Sequence, residues 1–385
     1  MVEAAKKHAR ERVISVEEAM SLAERYAREI IPSFNPYLYF RLAIPLARWV
    51  YQPLYEVRVV SAEGLEALNS RDASVVFMMN HRSNLDYVIL AHLVAGKRPL
   101  SFAAGEWARV WPLGPLVRAQ GSFFVRRGSG DDLYRRVLES FVHMAVEDGL
   151  TQAVFPEGGL SRDGKPQDPK IGLLDYMLRS FDADGKRDLV FVPVAINYDW
   201  VLEDYSLLQT GGPEAGWRGR GGLFASAASS YVRNLRDAPR GVRPRLGGAA
   251  VSFGAPISTR RYMRSTGVDF LTLDREARIE QVKILARFIM HSIGESTPFV
   301  SVPIVSRVLL EASNESLSKS EIYARVRNLS SEFEERDIGV GPVDPKAALQ
   351  ILSRRRLIRM EDGRYRILPE SEKLLGYYAN SISHL

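Results

Sequence analysis

The sequence predicts an α/β protein with a mostly parallel central sheet and covering helices, flanked by helical regions at both ends. Short apolar runs without polar alternation recur along the middle of the chain, as expected of strands buried on both faces. Stretches with helical periodicity fall between them, an alternation typical of parallel sheets. The chain has 385 residues, of which 46% are hydrophobic. That is enough for a core domain of about 200 to 250 residues with additions.

We therefore predict three regions: an N-terminal helical segment at 1–54, an α/β domain at 55–273 and a helical, winged-helix-like region at 274–385. In the first region, residues 1–31 are expected to form one helix. A second helix is predicted from Tyr37 to Tyr51, where Arg41 and Arg48 are the only charged residues. That helix would be about 20 Å long, too short to cross a bilayer. Either it packs on the domain or it lies at a membrane surface. In the second case, the predicted membrane contacts are Phe40, Arg41, Arg48 and Trp49.

The α/β pattern follows. The predicted strands are Val75–Met79, Pro99–Ala103, Ser122–Val125, Ala153–Phe155, Val190–Ile196 and Ala249–Phe253. The predicted helices between them are Leu85–Val94, Asp131–Glu147 and Gly172–Phe181. Residues 207–248 are rich in Gly, Arg, Ala and Ser and are interpreted as an insertion or lid.

The C-terminal region is predicted to be helical from Arg275 to Ile293 and from Pro303 to Ala312. Two further helices, Ser318–Val326 and Lys346–Leu357, and a hairpin at Arg359–Ile367 resemble a winged-helix module, with the hairpin turning at Asp362-Gly363. Such modules bind DNA or dock on a neighbouring domain.

Composition restricts the classes of function. The chain has no cysteine, which excludes thiol nucleophiles, disulfides and cysteine metal sites. No apolar signal-peptide region and no run of 18 apolar residues is present, so we expect a cytoplasmic protein. The formal charge of +6 favours an anionic partner, which is a nucleic acid, a phospholipid surface or a phosphorylated substrate.

One His/Asp pair stands where a predicted strand ends and a helix begins. His81 follows the strand that ends at Met79, and Asp86 comes five residues later, in the first helical turn. Open α/β sheets hold their ligands at such strand ends. The pair is interpreted as a general base and the carboxylate that orients it. The alternative is structural, because Ser83-x-x-Asp86 is also a capping-box pattern.

Two other strand ends carry cations and exposed backbone amides. GSFFVRR (121–127) delivers Arg126 and Arg127, and FPEGGLSRDGK (155–165) presents a glycine pair with nearby polar residues. Guanidinium groups and free amides are what a phosphate monoester requires. Pro166 stands where a nucleotide-binding P-loop needs Ser or Thr, and no metal-spaced cluster is present, so neither an NTPase nor a metal site is predicted.

The order and spacing of four motifs resemble the glycerolipid acyltransferases: NHRSNLD (80–86), GSFFVRR (121–127), FPEGGLSR (155–162) and VPVAINYD (192–199). VSFGAPIS (251–258) and the terminal LGYYANSISHL (375–385) are similar to the glycerol-3-phosphate and dihydroxyacetone-phosphate acyltransferase branch. The resemblance implies acyl transfer from acyl-CoA or acyl-carrier protein to the sn-1 hydroxyl of glycerol-3-phosphate, giving lysophosphatidate. No cofactor beyond the acyl donor is implied.

The resemblance also implies roles for individual residues. His81 would be the general base, Asp86 would orient it, and Pro193 would lie near the acyl donor. The residues expected to bind the substrate phosphate are Arg127, Glu157, Gly158, Ser161, Arg162 and Lys165. The enzyme would attach peripherally to the inner face of the cell membrane, on anionic phospholipid, and no nucleic acid is expected as a partner.

One residue departs from the pattern of this branch. Leu160 stands where an arginine usually follows the glycine pair. A charge-assisted contact of roughly 1.5 to 3 kcal/mol is lost there. The acceptor is therefore either glycerol-3-phosphate held by other cations or another alcohol, such as lysophosphatidate or a different lysophospholipid. A further alternative is a DNA-binding protein that uses the winged-helix-like tail.

Overall fold

The structure is a computed structural model that describes residues 2–104, 117–126, 130–209, 246–312, 315–335 and 343–385. Most of the insertion predicted at 207–248 lies outside these ranges, as does Arg127. Within the described ranges, no helix combines the length and the apolar character needed to cross a bilayer.

An eight-stranded sheet forms the centre of the protein. Its strands run in the order β1-β7-β6-β2-β5-β3-β4, with the short β8 paired to β6. All neighbours are parallel except β7 and β8, which run antiparallel to β6. The predicted mostly parallel sheet is thus confirmed. The bounds are β1 Tyr55–Ser61, β2 Ala73–Met79, β3 Ser101–Ala104, β4 Phe123–Phe124, β5 Gln152–Val154, β6 Asp188–Tyr198, β7 Gly247–Phe253 and β8 Ile257–Ser258.

Every residue of β2 is buried, as its unbroken apolar run predicts. Alternate residues face opposite sides of a sheet. Val75 and Phe77 accordingly join one hydrophobic cluster, while Val76 and Met78 join the other. The edge strand β1 was not predicted, because its sequence YEVRVVS mixes charged and apolar residues and it is buried on part of one face only.

Helices cover both faces of the sheet. One face carries α5 and the C-terminal elements, and the other carries α2, α6, α7 and α10. The helices up to the end of the α/β region are α1 Val2–Arg12, α2 Val16–Ile30, α3 Pro36–Leu38, α4 Ile44–Tyr51, α5 Asp86–Val94, α6 Asp132–Glu147, α7 Gly172–Leu178, α8 Asp204–Gln209, α9 Thr259–Thr266 and α10 Arg275–Glu295. A π-helical turn, Tyr39–Ala43, joins α3 to α4, and a 3₁₀ helix spans Glu63–Asn69.

The single helix predicted for residues 1–31 is wrong. Val13 has a positive φ of 56°, which ends α1. Ser15 then caps α2: its side chain accepts from the Glu18 amide while the Glu18 carboxylate accepts from the Ser15 amide. This capping box gives α2 its own start, so the chain folds as a pair of helices packed on each other.

The C-terminal chain forms a winged-helix arrangement. Its elements are α11 Ser301–Glu311, β9 Leu317–Ser318, α12 Lys319–Glu335, α13 Pro345–Arg354, β10 Ile358–Glu361, β11 Arg364–Ile367 and α14 Glu372–Asn380. The three strands form one antiparallel sheet in the order β10-β11-β9. The predicted hairpin turn is confirmed, with φ values of 50° at Asp362 and 75° at Gly363.

This arrangement is docked on the α/β domain. Helix α13 packs beside β7, and the buried Arg355 that follows it forms a 2.7 Å ion pair with Asp204. The Arg355 guanidinium also lies 4.2 Å from the ring centroid of Trp200. The helix that would enter a DNA groove in such a module therefore packs one face, with Ala348, Leu349, Ile351 and Leu352, against the rest of the protein.

Candidate active site

His81 and Asp86 are in contact at the carboxyl end of β2. His81 Nδ1 lies 3.0 Å from Asp86 Oδ2, and the His81 side chain is 15% exposed while that of Asp86 is fully buried. A carboxylate at this position accepts a hydrogen bond from Nδ1–H and so favours the tautomer that carries its proton on Nδ1. In this tautomer the neutral ring carries its lone pair on Nε2, which is the atom that a general base would use.

Asp86 is held by four donors. Besides His81 Nδ1, its Oδ2 accepts the backbone N–H groups of Arg82 (2.7 Å) and Ser83 (2.9 Å), and its Oδ1 accepts the hydroxyl of Tyr198 (2.7 Å). These contacts are compatible with both sequence interpretations of Asp86, because its carboxylate accepts backbone amides just before the helix and also contacts the histidine. Sequence reasoning missed Tyr198, which lies 112 residues further along the chain.

The backbone at His81 is fixed from both sides. Asn80 bridges β2 to β6 by donating to the Ile196 carbonyl and accepting the Ile196 amide. Glu157 accepts the His81 amide at 3.3 Å, and Ser161 donates its amide to the His81 carbonyl at 3.0 Å. The ring of Phe155 stacks on the imidazole at a centroid distance of 4.0 Å. These contacts leave the imidazole little freedom to rotate.

A cavity of about 550 Å³ opens beside His81. It lies at the carboxyl ends of β3, β4 and β5, where aromatic and aliphatic side chains form most of its wall. Lys170 is the single lysine or arginine among the described residues that line it. Gly158 has a φ of +70°, and a Cβ there would lie 2.9 Å from Lys170 Cγ. Glycine therefore lets the lysine stem pass close to the loop, which is a physical reason for the first glycine of the pair.

The predicted phosphate-binding residues are only partly brought to this cavity. Gly158 lines it. Glu157 and Ser161 are buried and used internally: Glu157 accepts the His81 and Gln167 amides, and the Ser161 hydroxyl donates to the Lys165 carbonyl. Burial raises the pKa of Glu157, against the lowering effect of the nearby Arg82 cation.

Arg162 and Lys165 are exposed and are not among the described residues of the cavity wall. Arg127 lies outside the described residues. Leu160 is half-buried and packs against the hydrophobic cluster that also contains α5. Lys170, which sequence reasoning missed, is thus the lysine that the described structure places with His81 on the wall of the cavity. The clue in the sequence was a lysine two residues before the glycine that starts α7.

Two other residues of the motifs have structural contacts. Arg126 forms a bidentate ion pair with Glu29, at 2.6 and 2.7 Å, and lies over the rings of Tyr26 and Tyr134. Pro193 is buried in the middle of β6, where its carbonyl accepts the Gly254 amide. Pro193 is not among the described lining residues of the cavity.

The C-terminal helix braces the loop that carries the glycine pair. Asn380 donates to the carbonyl of Asp163 at 2.8 Å, and Arg82 donates to the carbonyl of Gly164. Gly164 has a φ of +83°, and a Cβ there would lie 1.9 Å from the carbonyl oxygen of Tyr377. Only glycine permits this close approach, so the last helix of the chain helps to position the site.

A polar network behind His81 also went unnoticed in the sequence. The buried Glu203 accepts the Ser83 hydroxyl at 2.9 Å, the Asn84 backbone amide at 3.2 Å and the Asn84 side-chain amide at 3.0 Å. Burial raises the pKa of Glu203, and the hydrogen bonds from Ser83 and Asn84 act in the opposite direction. Asn84 itself lines the cavity.

Residues 36–51 pack on the α/β domain with one face and expose the other. Tyr39 is buried, and its hydroxyl accepts the Leu100 amide at 3.1 Å. On the outer face, Tyr37 is 71% exposed and Trp49 is 74% exposed, and Arg41 and Arg48 lie among them. The two predicted alternatives are therefore compatible, since packing leaves an aromatic and cationic surface uncovered.

Two family models match separate parts of this chain. The family model described as "Acyltransferase" matches residues 57–197, and the one described as "Glycerol-3-phosphate acyltransferase C-terminal region" matches residues 232–385. Among curated proteins, the chain is 29% identical to a glycerol-3-phosphate acyltransferase of Pseudomonas aeruginosa, over 97% of this chain and 45% of that protein. It is 26% identical to the one of Shewanella frigidimarina, over 97% of this chain and 47% of that protein. The chain thus spans less than half the length of these relatives.

Among solved structures, the 1-acyl-sn-glycerophosphate (LPA) acyltransferase of Thermotoga maritima is similar. It shares 17% identity and overlaps 72% of this chain and 82% of that chain, with a TM-score of 0.34.

Proposed function

We propose that this chain transfers a fatty acyl group to the sn-1 hydroxyl of glycerol-3-phosphate. The premise is that it belongs to the glycerolipid acyltransferase superfamily and, within it, to the glycerol-3-phosphate acyltransferase branch. The donor is acyl-CoA or acyl-carrier protein, and the product is lysophosphatidate. The observation that carries the proposal is the 3.0 Å contact of His81 Nδ1 with Asp86 at the edge of a cavity that also contains a lysine.

His81 acts on the acceptor hydroxyl. Its Nε2 takes the proton as the hydroxyl oxygen attacks the carbonyl carbon of the acyl thioester. The C–O bond forms, and the carbonyl becomes a tetrahedral oxyanion. When the oxyanion collapses, the C–S bond breaks, and the imidazolium gives its proton to the departing thiolate. The buried Asp86 carboxylate stabilises the imidazolium between these two proton transfers.

Lys170 supports recognition of the phosphate. An ammonium group is a compact point charge that binds phosphate oxygens through charge-assisted hydrogen bonds. Since Leu160 brings no charge, Lys170 is the described cation best placed to hold the phosphate while the hydroxyl faces His81. The proposal for glycerol-3-phosphate thus depends on a lysine ten residues beyond the missing arginine.

The apolar wall of the cavity suits the acyl group. Tyr87 stacks on Phe102 at a centroid distance of 4.6 Å, and Val125 and Leu173 lie on the same wall. Burying methylene groups of an acyl chain contributes about 0.8 kcal/mol for each. A cavity with one basic edge and one apolar wall fits a reaction between a phosphorylated alcohol and a fatty thioester.

Attachment to an anionic membrane surface is part of the proposal. The outer face of residues 36–51 presents Tyr37, Phe40 and Trp49 beside Arg41 and Arg48. Aromatic side chains favour the boundary between lipid head groups and acyl chains, and arginines pair with anionic head groups. This surface would bring the site to the lipid phase that receives the product.

The test measures thiol release from palmitoyl-CoA and from palmitoyl-acyl-carrier protein by the purified chain, with glycerol-3-phosphate, lysophosphatidate or no acceptor. The proposal predicts release that depends on glycerol-3-phosphate and a product acylated at its sn-1 oxygen. Release with lysophosphatidate alone would reject the proposed acceptor. Failure of both donors with every acceptor would reject acyl transfer by this chain.

A further inference from the structure

The side-chain amide of Asn84 has a fixed orientation. The backbone N–H of Asn84 can only donate, and it donates to Glu203 Oε1, so that oxygen acts as an acceptor. The Asn84 side chain meets the same Oε1 at 3.0 Å and must therefore present its NH₂ group there. This conclusion holds whether Glu203 is ionised or protonated on its other oxygen. Ser83 secures Glu203 from that other side, through a 2.9 Å contact with Oε2.

This orientation turns the Asn84 carbonyl oxygen away from Glu203. Asn84 lines the cavity together with His81 and Lys170. In the part of the chain that the structure describes, no group donates a hydrogen bond to Asn84 Oδ1. An amide oxygen has two lone pairs and no proton, so it binds only a hydrogen-bond donor. The cavity thus offers a base, a cation and one oriented acceptor.

We infer that Asn84 Oδ1 accepts a hydrogen bond from the second hydroxyl of the acceptor alcohol and thereby selects glycerol-3-phosphate over dihydroxyacetone phosphate. This inference rests on the proposed function. The two molecules differ at one position: glycerol-3-phosphate carries a hydroxyl at its central carbon, whereas dihydroxyacetone phosphate carries a carbonyl there. The hydroxyl can donate a hydrogen bond to Asn84 Oδ1. The carbonyl oxygen of dihydroxyacetone phosphate can only accept one, so its lone pairs would repel those of Asn84 Oδ1.

The hydrogen bonds to the buried Glu203 hold the Asn84 side-chain amide in the orientation that this discrimination requires. If the amide could rotate, its NH₂ group would satisfy the carbonyl, and both alcohols would bind equally. Glu203 prevents the rotation because a turned amide would set two oxygens against each other in a buried place, which costs free energy. Sites built to bind a hydroxyl reject analogues that lack it for this reason. Glu203 is therefore a positioning residue, and Asn84 is the residue that touches the substrate.

The test compares two substitutions at one position. Asn84→Leu has a similar volume but no acceptor. Asn84→Asp keeps a side-chain oxygen as an acceptor for the substrate. The hydrogen bond from the Asn84 NH₂ group to Glu203 is replaced by a proton that the two carboxylates share. Binding of each alcohol is measured by calorimetry, and kcat/KM is measured by thiol release from palmitoyl-CoA. Thermal unfolding of each variant shows whether the fold is kept.

We expect the wild-type protein to prefer glycerol-3-phosphate about tenfold or more in both readouts, as one hydrogen bond allows. The preference should fall to near one in Asn84→Leu, mainly through weaker binding of glycerol-3-phosphate, and should persist in Asn84→Asp. A wild-type protein without the preference, or an Asn84→Leu variant that keeps it, would overturn the inference. Selective binding of glycerol-3-phosphate without thiol release would support the inference about Asn84 and reject the proposed reaction. Thiol release without selectivity between the two alcohols would support the proposed reaction and reject the inference.

Discussion

Asp86→Asn is the substitution for which the structure predicts the most specific result. Three donors converge on Oδ2, namely His81 Nδ1–H and the backbone amides of Arg82 and Ser83. An asparagine must turn its single carbonyl oxygen to this side, because two backbone N–H groups cannot face an NH₂ group without losing their partners. Its NH₂ then faces Tyr198, whose hydroxyl oxygen is able to accept.

The variant therefore keeps the histidine tautomer and loses only the charge. Charge-assisted hydrogen bonds are roughly twice as strong as neutral ones. The imidazolium that forms during the reaction loses about 2 kcal/mol of stabilisation, which corresponds to a fall in kcat of roughly thirtyfold. His81→Ala, which removes the proposed base itself, is expected to lower kcat about 10³-fold or more.

The assay is thiol release from palmitoyl-CoA with saturating glycerol-3-phosphate, measured for the wild-type protein and both variants. Thermal unfolding shows whether each variant is folded. If folded Asp86→Asn loses as much activity as His81→Ala, the asparagine has not kept the tautomer, and the assigned role of the two backbone amides is wrong. If it loses none, the carboxylate charge does not contribute.

Three other predictions follow from contacts away from this pair. Lys170→Ala is expected to raise the KM for glycerol-3-phosphate about tenfold with little change in kcat, because the proposed contact of the ammonium with the phosphate would be lost in the ground state and the transition state alike. Phe40→Ala with Trp49→Ala is expected to weaken flotation with anionic liposomes several-fold and to leave thermal stability unchanged, since both side chains are exposed. Burial raises the pKa of the Asp199 carboxyl from its ordinary value of 3.8 to about 6. Its contribution to stability is therefore full below about pH 4 and is lost as the pH rises through 6. Asp199→Asn should remove that slope from the pH dependence of the free energy of unfolding.

Two residues on α10 provide matched controls. Lys283→Ala removes an exposed lysine that pairs with Glu280 on the surface, and it should leave the KM for glycerol-3-phosphate unchanged. Phe288, 46% exposed, is a counterpart of Phe40, 42% exposed, and Phe288→Ala should leave liposome binding unchanged. Equal effects of test and control substitutions would contradict the assigned surfaces. For Asp199→Asn, the contradicting result is a slope between pH 4 and 6 as steep as that of the wild-type protein.

Much of the sheet and the His81/Asp86 pair could be predicted because both depend on local sequence. An uninterrupted apolar run such as Val75–Met79 predicts a buried strand, and Asp86 comes only five positions after His81. Every predicted strand is present with shifted ends. The edge strand β1 was not predicted, because only part of it is buried and the alternation of apolar and polar residues in its sequence is therefore weak.

The remaining features of the site depend on contacts between distant segments. Tyr198 reaches Asp86 because β6 pairs with β2 in one particular register, which periodicity does not reveal. Glu157 was predicted to bind substrate, but the structure shows its carboxylate holding the His81 and Gln167 amides. A buried carboxylate and a substrate-binding carboxylate look alike in a sequence, since the difference lies in which backbone amides come near.

The most direct test of the central claim is thiol release dependent on glycerol-3-phosphate by the wild-type chain and by His81→Ala, compared at equal concentrations of folded protein. If His81 is the general base, the wild-type chain releases thiol only when glycerol-3-phosphate is present, and His81→Ala loses about 10³-fold in rate. A folded His81→Ala variant that keeps the wild-type rate would contradict the mechanism.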